Sequence, residues 1–254
     1  MSTYVCSDIH GHFNEWMELI ETCNIHLENG DRFFILGDII DRGPHSKACV
    51  DYALHLQANY PNQVIYLRGN HEQMMLQFLQ ADPANKTDFL TFGERWTRNG
   101  GLATISAFLD HIPEAATTYE TLQIIQKEFN AQHPDTIQQL NKLPYYHLTD
   151  DFAFVHAGFQ TNIPLQEQDP YQMVWIRDAF YENFQAAPGD PLENKTIIHG
   201  HTPIQNFPDY NGEAYYDGKH HIGIDGGAAA RKKIIMLKID ETSHLSAQTL
   251  FFTT

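Results

Sequence analysis

The sequence predicts an α/β (α+β) fold: a βαβαβ core, then a helical insertion, then further strands. Three observations predict it. Short apolar runs alternate with stretches of helical period through the first 80 residues. Each of the first three runs ends in ligand-capable residues, led by Asp8, Asp38 and Asn70 at nearly equal spacing. Strand-like sequence resumes after a middle that reads as helix, so that middle is an insertion.

The elements follow in order. Tyr4-Val5-Cys6 is a first strand, and Phe13, Trp16, Met17, Ile20 and Cys23 form one face of a helix. Phe33-Phe34-Ile35-Leu36 is a second strand, about 44–60 a second helix, and Val64-Ile65-Tyr66-Leu67 a third strand. In such a parallel unit ligands collect at the carboxyl ends of the strands, where Asp8, Asp38 and Asn70 fall. Within about 82–143, the stretches 87–99, 102–109, 119–132 and 135–143 read as short helices of a cap. Gly100-Gly101, Pro113 and Pro134 break them. Later strands are expected at 152–155, 197–198, 222–224, 234–239 and 247–252, with loops at 188–194 and 209–219. Residues 1–254 therefore read as a single domain carrying a cap.

Composition narrows the function classes. The 254 residues carry 16 Lys+Arg against 32 Asp+Glu, a formal charge of −16, which argues against nucleic acid or an anionic membrane as partner. A 42% hydrophobic and 12% aromatic content belongs to a folded chain. No apolar run approaches the ~18 residues of a membrane span, and the first residues lack the features of a signal peptide. Cys6, Cys23 and Cys49 make neither an even set nor a Cys-x-x-Cys pair. They read as buried apolar residues in a reducing cytosol, so a cytoplasmic location is expected.

The chemistry-bearing residues lie at the strand ends. Asp8 and His10 stand at i and i+2, and Gly11 permits a turn into the helix. The segment Gly37 to Gly43 combines Asp38, Asp41 and Arg42 between glycines. Asn70 and His71 end the third strand, while His156 and His201 each follow an apolar run. Taken singly, these would be a capping aspartate, a salt-bridged turn or a hydrogen-bonded structural histidine. Together they offer only oxygen and nitrogen donors, which suits Mn²⁺, Fe or Zn²⁺. The set is large enough for two ions sharing a carboxylate, an arrangement used for in-line displacement at phosphorus.

The ordered series Asp8-Ile-His10-Gly, Gly-Asp38-Ile-Ile-Asp41-Arg42-Gly, Arg68-Gly-Asn70-His71-Glu, His156-Ala-Gly and Gly-His201-Thr resembles the phosphoprotein phosphatase family of calcineurin-like metallophosphoesterases. The bacterial and bacteriophage lambda-type serine/threonine phosphatases are the members it resembles most. The resemblance implies a β-sandwich of two mixed sheets flanked by helices and two divalent metal ions, Mn²⁺ first. It implies Asp8 and His10 on one metal, Asn70, His156 and His201 on the other, and Asp38 bridging. Arg42, Arg177, Asn70 and Arg68 would contact the phosphate. The implied reaction removes phosphate from phosphoserine or phosphothreonine, and also from phosphotyrosine. A metal-bridging hydroxide attacks in line, and His71, held by Asp41, is the general acid. The substrate would be a phosphorylated protein or peptide, or a small phosphoester. Two divalent ions against Asp8 and Asp38 leave the centre positive, so the overall acidity bears on which phosphoester arrives and should disfavour acidic ones.

There are departures and alternatives. Where many metallophosphoesterases have Gly-His-x-His, this chain has Pro203, and His199 lies on the wrong side of Gly200 to substitute. His12, His220 and His221 are expected at the surface or behind the ligands, and Glu72 as a structural acceptor. Tyr215 and Tyr216 remain unassigned. A symmetrical diadenosine tetraphosphate hydrolase shares the metal core but typically has Ala-Arg and His-Asp where this chain has Asp41-Arg42 and His71-Glu72. A non-catalytic phosphoprotein-binding module would usually have lost a ligand or the acid, and Asp38, Asp41 and His71 are all present.

Overall fold

In the computed structural model, the described residues are 1–110, 117–207, 210, 214–216, 220–231, 233–240 and 248–252. Pro113 and most of the expected loop 209–219 lie outside them. In chain order the elements are β1 (Ser2–Cys6), α1 (Phe13–Cys23), β2 (Arg32–Ile35), α2 (Ser46–Asn59), β3 (Val64–Tyr66) and α3 (Asn70–Gln80). Next come α4 (Lys86–Trp96), α5 (Leu102–Phe108), α6 (Tyr119–Gln132), α7 (Pro134–Leu140), β4 (Tyr146–Leu148) and β5 (Phe152–Val155). The chain continues with α8 (Pro170–Trp175), α9 (Asp178–Tyr181), β6 (Thr196–His199), β7 (Tyr215–Tyr216) and β8 (His221–Gly223). It closes with α10 (Ala228–Arg231), β9 (Ile234–Asp240) and β10 (Gln248–Phe252).

The strands form two mixed five-stranded sheets, ordered β10-β9-β1-β2-β3 and β4-β5-β6-β8-β7. β1, β2 and β3 run parallel, with Cys6 opposite Ile35 and Ile35 opposite Tyr66. In the other sheet β5, β6 and β8 are parallel, with Phe154 opposite Ile198 and His199 opposite Gly223.

Side-chain alternation sorts the core into layers. From β1 and β2, Tyr4, Cys6, Phe33 and Ile35 face the helices, while Val5, Phe34 and Leu36 face the second sheet. Phe154 and Ile198 of the second sheet meet them, and Phe34 stands edge-on to Phe154 at 4.6 Å. Ala153, Val155 and Ile197 turn the other way, onto Met173, Ile176 and Phe180. Each sheet is thus covered on both faces, which explains why its strands read as continuous apolar runs.

On α1 the deeply buried residues are Trp16, Leu19 and Cys23, with Phe13, Met17 and Ile20 partly buried beside them. The apolar stripe is centred slightly off the expected one. Helices α4 to α7 continue the helix-side core through α3, where Phe78 stacks at a tilt on Phe89 and Trp96 at 5.4 and 5.6 Å. Among the described residues, no helix is long and apolar enough to cross a membrane.

Candidate active site

Parallel register brings the carboxyl ends of β1, β2, β3, β5 and β6 to one edge, and the loops leaving them are laced together. The Asp8 amide donates to Gly37 O at 3.1 Å, the His10 amide to Asp38 O at 3.0 Å, and the Gly200 amide to His156 O at 2.8 Å. Eight non-glycine residues among those described have positive φ. Six of them are Asp8, His10, Asp38, Asp41, Arg42 and His201. Each such conformation costs of order 1–3 kcal/mol, so strain concentrates on the expected site residues. Behind them Glu72 acts as a structural tie. Its carboxylate accepts the amides of Asp38, Ile39 and Gly69 at 2.8, 2.9 and 2.9 Å and the Tyr66 hydroxyl at 3.1 Å. A Cβ on Gly69 would lie 2.2 Å from Asp38 Oδ1, so only glycine lets the two strand ends meet.

Two triads share Asp38: His10, Asp38 and His71, and Asp38, His156 and His201. In each, one ligand atom per residue lies within 4.8 Å of the others. His10 Nδ1 donates to Ile40 O at 2.9 Å and His156 Nδ1 to Leu36 O at 2.8 Å. These carbonyl partners leave each Nε2 for the centre, the arrangement usual behind metal-binding imidazoles. Asn70 Oδ1 lies 2.9 Å from His156 Nε2. His201 Nε2 is buried without a partner, which is what an imidazole shaped for a cation shows. The donors and their support therefore fit divalent metal ions.

Electrostatics agree. Burial opposes ionisation of Asp38, but His156, His71 and His10 outweigh it and hold its carboxyl well below the usual range. Burial lowers the His156 pKa, yet Asp38 and Asp8 carry it up to about 9. Asp8 is raised by burial and by Asp38. Asp8 stands outside both triads, its Oδ2 accepting the Ser7 hydroxyl at 2.6 Å and the His201 amide at 3.0 Å.

His71 is geometrically close enough to complete the first triad, but its partner differs. Its Nδ1 lies 2.6 Å from Asp41 Oδ2, leaving Nε2 3.2 Å from Arg42 Nη2 and 3.8 Å from Asp38 Oδ2. Burial lowers the imidazole pKa, and Asp38 and Asp41 overcome that to raise it.

Residues that sequence reasoning passed over hold this pair. Asp41 is fully buried, and its carboxylate accepts the Thr104 hydroxyl at 2.5 Å and Trp96 Nε1 at 3.1 Å. Its amide donates to the hydroxyls of Thr104 at 2.9 Å and Ser46 at 3.0 Å. The Arg42 amide donates to Gly100 O at 3.2 Å. Gly100 has φ +106, and a Cβ there would lie 2.6 Å from Arg42 Cγ. Gly100-Gly101, read as a helix break, is thus the seat on which Arg42 rests. Arg177 donates from Nη1 to Thr202 Oγ1 at 3.1 Å.

One expectation is corrected. Arg68 does not offer its guanidinium to a phosphate. Nη1 donates to Gln73 Oε1 and Tyr145 OH, both at 3.1 Å, and Nη2 to the carbonyls of Leu140 and Asn141 at 3.1 and 2.6 Å. It satisfies carbonyls at the end of α7, a helix-terminus task suited to arginine. His221 is buried and joins neither triad, with Nδ1 3.0 Å from Nε2 of His199, whose ring also packs on Phe180. His199 joins neither triad.

A buried Asp/His/Asn centre on paired mixed sheets defines a metallophosphoesterase. This chain belongs to the calcineurin-like phosphoesterases, whose family profile matches residues 1–225. It is 25% identical over 260 residues to the asymmetrical bis(5′-nucleosyl)-tetraphosphatase PrpE of Bacillus mycoides, covering 95% of this chain and 92% of that relative. It is 40% identical over 68 residues to the serine/threonine-protein phosphatase 6 catalytic subunit of Caenorhabditis elegans, which is 27% of this chain and only 20% of that one. Among solved structures, a serine/threonine phosphatase of Saccharomyces cerevisiae matches with a TM-score of 0.62 at 13% identity, over 100% of this chain and 80% of that one. A cold-active protein-tyrosine phosphatase of a Shewanella species matches at 0.60 and 16%, over 98% and 80%. At these identities the structural matches speak to fold alone.

Proposed function

We propose that this chain is a phosphomonoesterase that removes phosphate from serine, threonine or tyrosine side chains of a protein or peptide, or from a small phosphoester. The observation that carries the reading is the buried His71–Asp41 pair, 2.6 Å apart, with His71 Nε2 also 3.8 Å from the Asp38 carboxylate that both triads share.

His10, His156, His201, Asn70 and Asp38 would hold the two divalent ions, Mn²⁺ first, with Asp8 beside His10 as the remaining carboxylate. Bound there, such ions stabilise phosphoryl charge and make water a nucleophile near neutral pH. Arg42, seated on Gly100, and Arg177, anchored by Thr202, orient the phosphate between them. His71 delivers a proton from Nε2 to the leaving oxygen. Asp41 holds Nδ1–H and favours the charged ring, a contribution worth ~10²–10⁴-fold. The acidic surface suits neutral or basic phosphoesters over acidic ones, and nucleic acid and membranes are not proposed as partners. The buried free thiols suit a reducing cytoplasm, where we place the protein.

A second reading, hydrolysis of dinucleoside tetraphosphates, is supported by the relative aligned along nearly the whole chain. The experiment compares kcat/KM in Mn²⁺ for phosphoserine, phosphothreonine and phosphotyrosine peptides with that for diadenosine tetraphosphate. Peptides ahead supports the first reading. The dinucleotide ahead of all three overturns it in favour of the second.

A further inference from the structure

Beside the centre lies a cluster that phosphate binding does not use. Arg95 reaches from α4 to α8, its guanidinium carbon 4.4 Å from the centroid of Trp175 and 5.8 Å from that of Tyr171. Its Nη2 donates to the Tyr171 hydroxyl at 2.7 Å. The two rings stack at 5.9 Å and 25°, and Trp175 meets His201 edge-on at 5.9 Å. Tyr171 is 38% exposed, the only aromatic among the exposed large apolar side chains described. Trp175 Nε1 is buried and has no hydrogen-bond partner in the protein. An aromatic wall therefore runs from His201 to solvent. At an exposed edge, arginine stacking adds little to stability, so the arrangement needs another explanation.

We propose that this wall is a subsite for a flat aromatic ring bonded directly to the ester oxygen, as in phosphotyrosine and other aryl phosphates. The proposal rests on the phosphomonoesterase reading and specifies its leaving group. Trp175 touches His201, so the first group beyond the ester oxygen meets an aromatic face. An aryl ester puts its ring there. A seryl ester puts a methylene there, and a nucleoside 5′-ester a methylene and a ribose.

The test measures calorimetric affinities of Mn²⁺-loaded protein for phenylphosphonate, methylphosphonate and α,β-methylene-ADP. Wild type should bind phenylphosphonate about tenfold more tightly than methylphosphonate. Tyr171→Ala should bring that ratio close to one, while Tyr171→Phe, which keeps the ring, retains most of it. Equal losses for both phosphonates would make the wall a strut between cap and α8 and overturn the proposal. A loss confined to α,β-methylene-ADP would assign the wall to a nucleobase and overturn it equally. Because binding is read, a protein inactive on every phosphoester refutes the proposed function while the affinity ratio still decides about the wall. Failure of wild type to bind either phosphonate refutes both.

Discussion

The proposed metal side and the proposed acid side of the site use the same side chain in opposite ways. His10 and His156 give Nδ1–H to backbone carbonyls, whereas His71 gives it to the Asp41 carboxylate. A carbonyl partner fixes the tautomer that leaves Nε2 toward the centre, and a carboxylate partner fixes it and also favours the protonated ring. The supports also differ in origin. The metal side is held by the strand-end loops themselves, while the acid side is held by Trp96, Gly100 and Thr104 of the inserted helices. The proposed acid pair therefore rests on the cap as well as on the strand-end loops.

Four substitutions break or sharpen that contrast. Asp38→Asn should cost most, more than the ~10²–10⁴-fold a general acid supplies, because both triads lose their shared carboxylate. His71→Asn should lose about 10²–10⁴-fold in kcat on phosphoserine peptide and far less on p-nitrophenyl phosphate, whose leaving group needs little help. Thr104→Val tests the role of the cap. Removing one donor from a buried carboxylate should lower kcat on phosphoserine peptide about tenfold with KM unchanged. If KM rises instead, the cap acts on substrate alone. Asp41→Asn probes the charge itself. Asp41 helps hold the His71 pKa up, and the acid must be protonated to work, so activity should fall away at a lower pH than in wild type.

The smallest catalytic effect should come from Arg68→Gln. It should leave KM for phosphoester unchanged while lowering Tm by about 2–4 °C for each kcal/mol of lost helix-end bonding. A raised KM would return Arg68 to the phosphate.

Much of the metal side was legible because its donors sit in short local motifs after apolar runs: Asp8 and His10, Asp38, Asn70, His156, His201. The acid side was legible only by half. Asp41 and His71 stand in motifs, but Trp96 and Thr104 contact Asp41 across 55 and 63 residues and look like ordinary helix residues. Helix α3 was hidden because Met74, Met75, Leu76, Phe78 and Leu79 are all buried, which erases the amphipathic stripe that reveals a helix. Strand β4 and helices α8 and α9 are three, six and four residues long, too short for any period to show. The packing of two sheets came from the family resemblance. Runs such as Ile234-Ile235-Met236-Leu237 are apolar on both faces and do not say which sheet they join.

The central claim is that Asp38 organises two cation sites while His71, though within reach, is the acid. The direct test is the Mn²⁺ content per chain of wild type, Asp38→Asn and His71→Asn after equilibrium dialysis. The account predicts two ions in wild type, two in His71→Asn, and fewer than two in Asp38→Asn. Unchanged stoichiometry in Asp38→Asn, or an ion lost in His71→Asn, would contradict it.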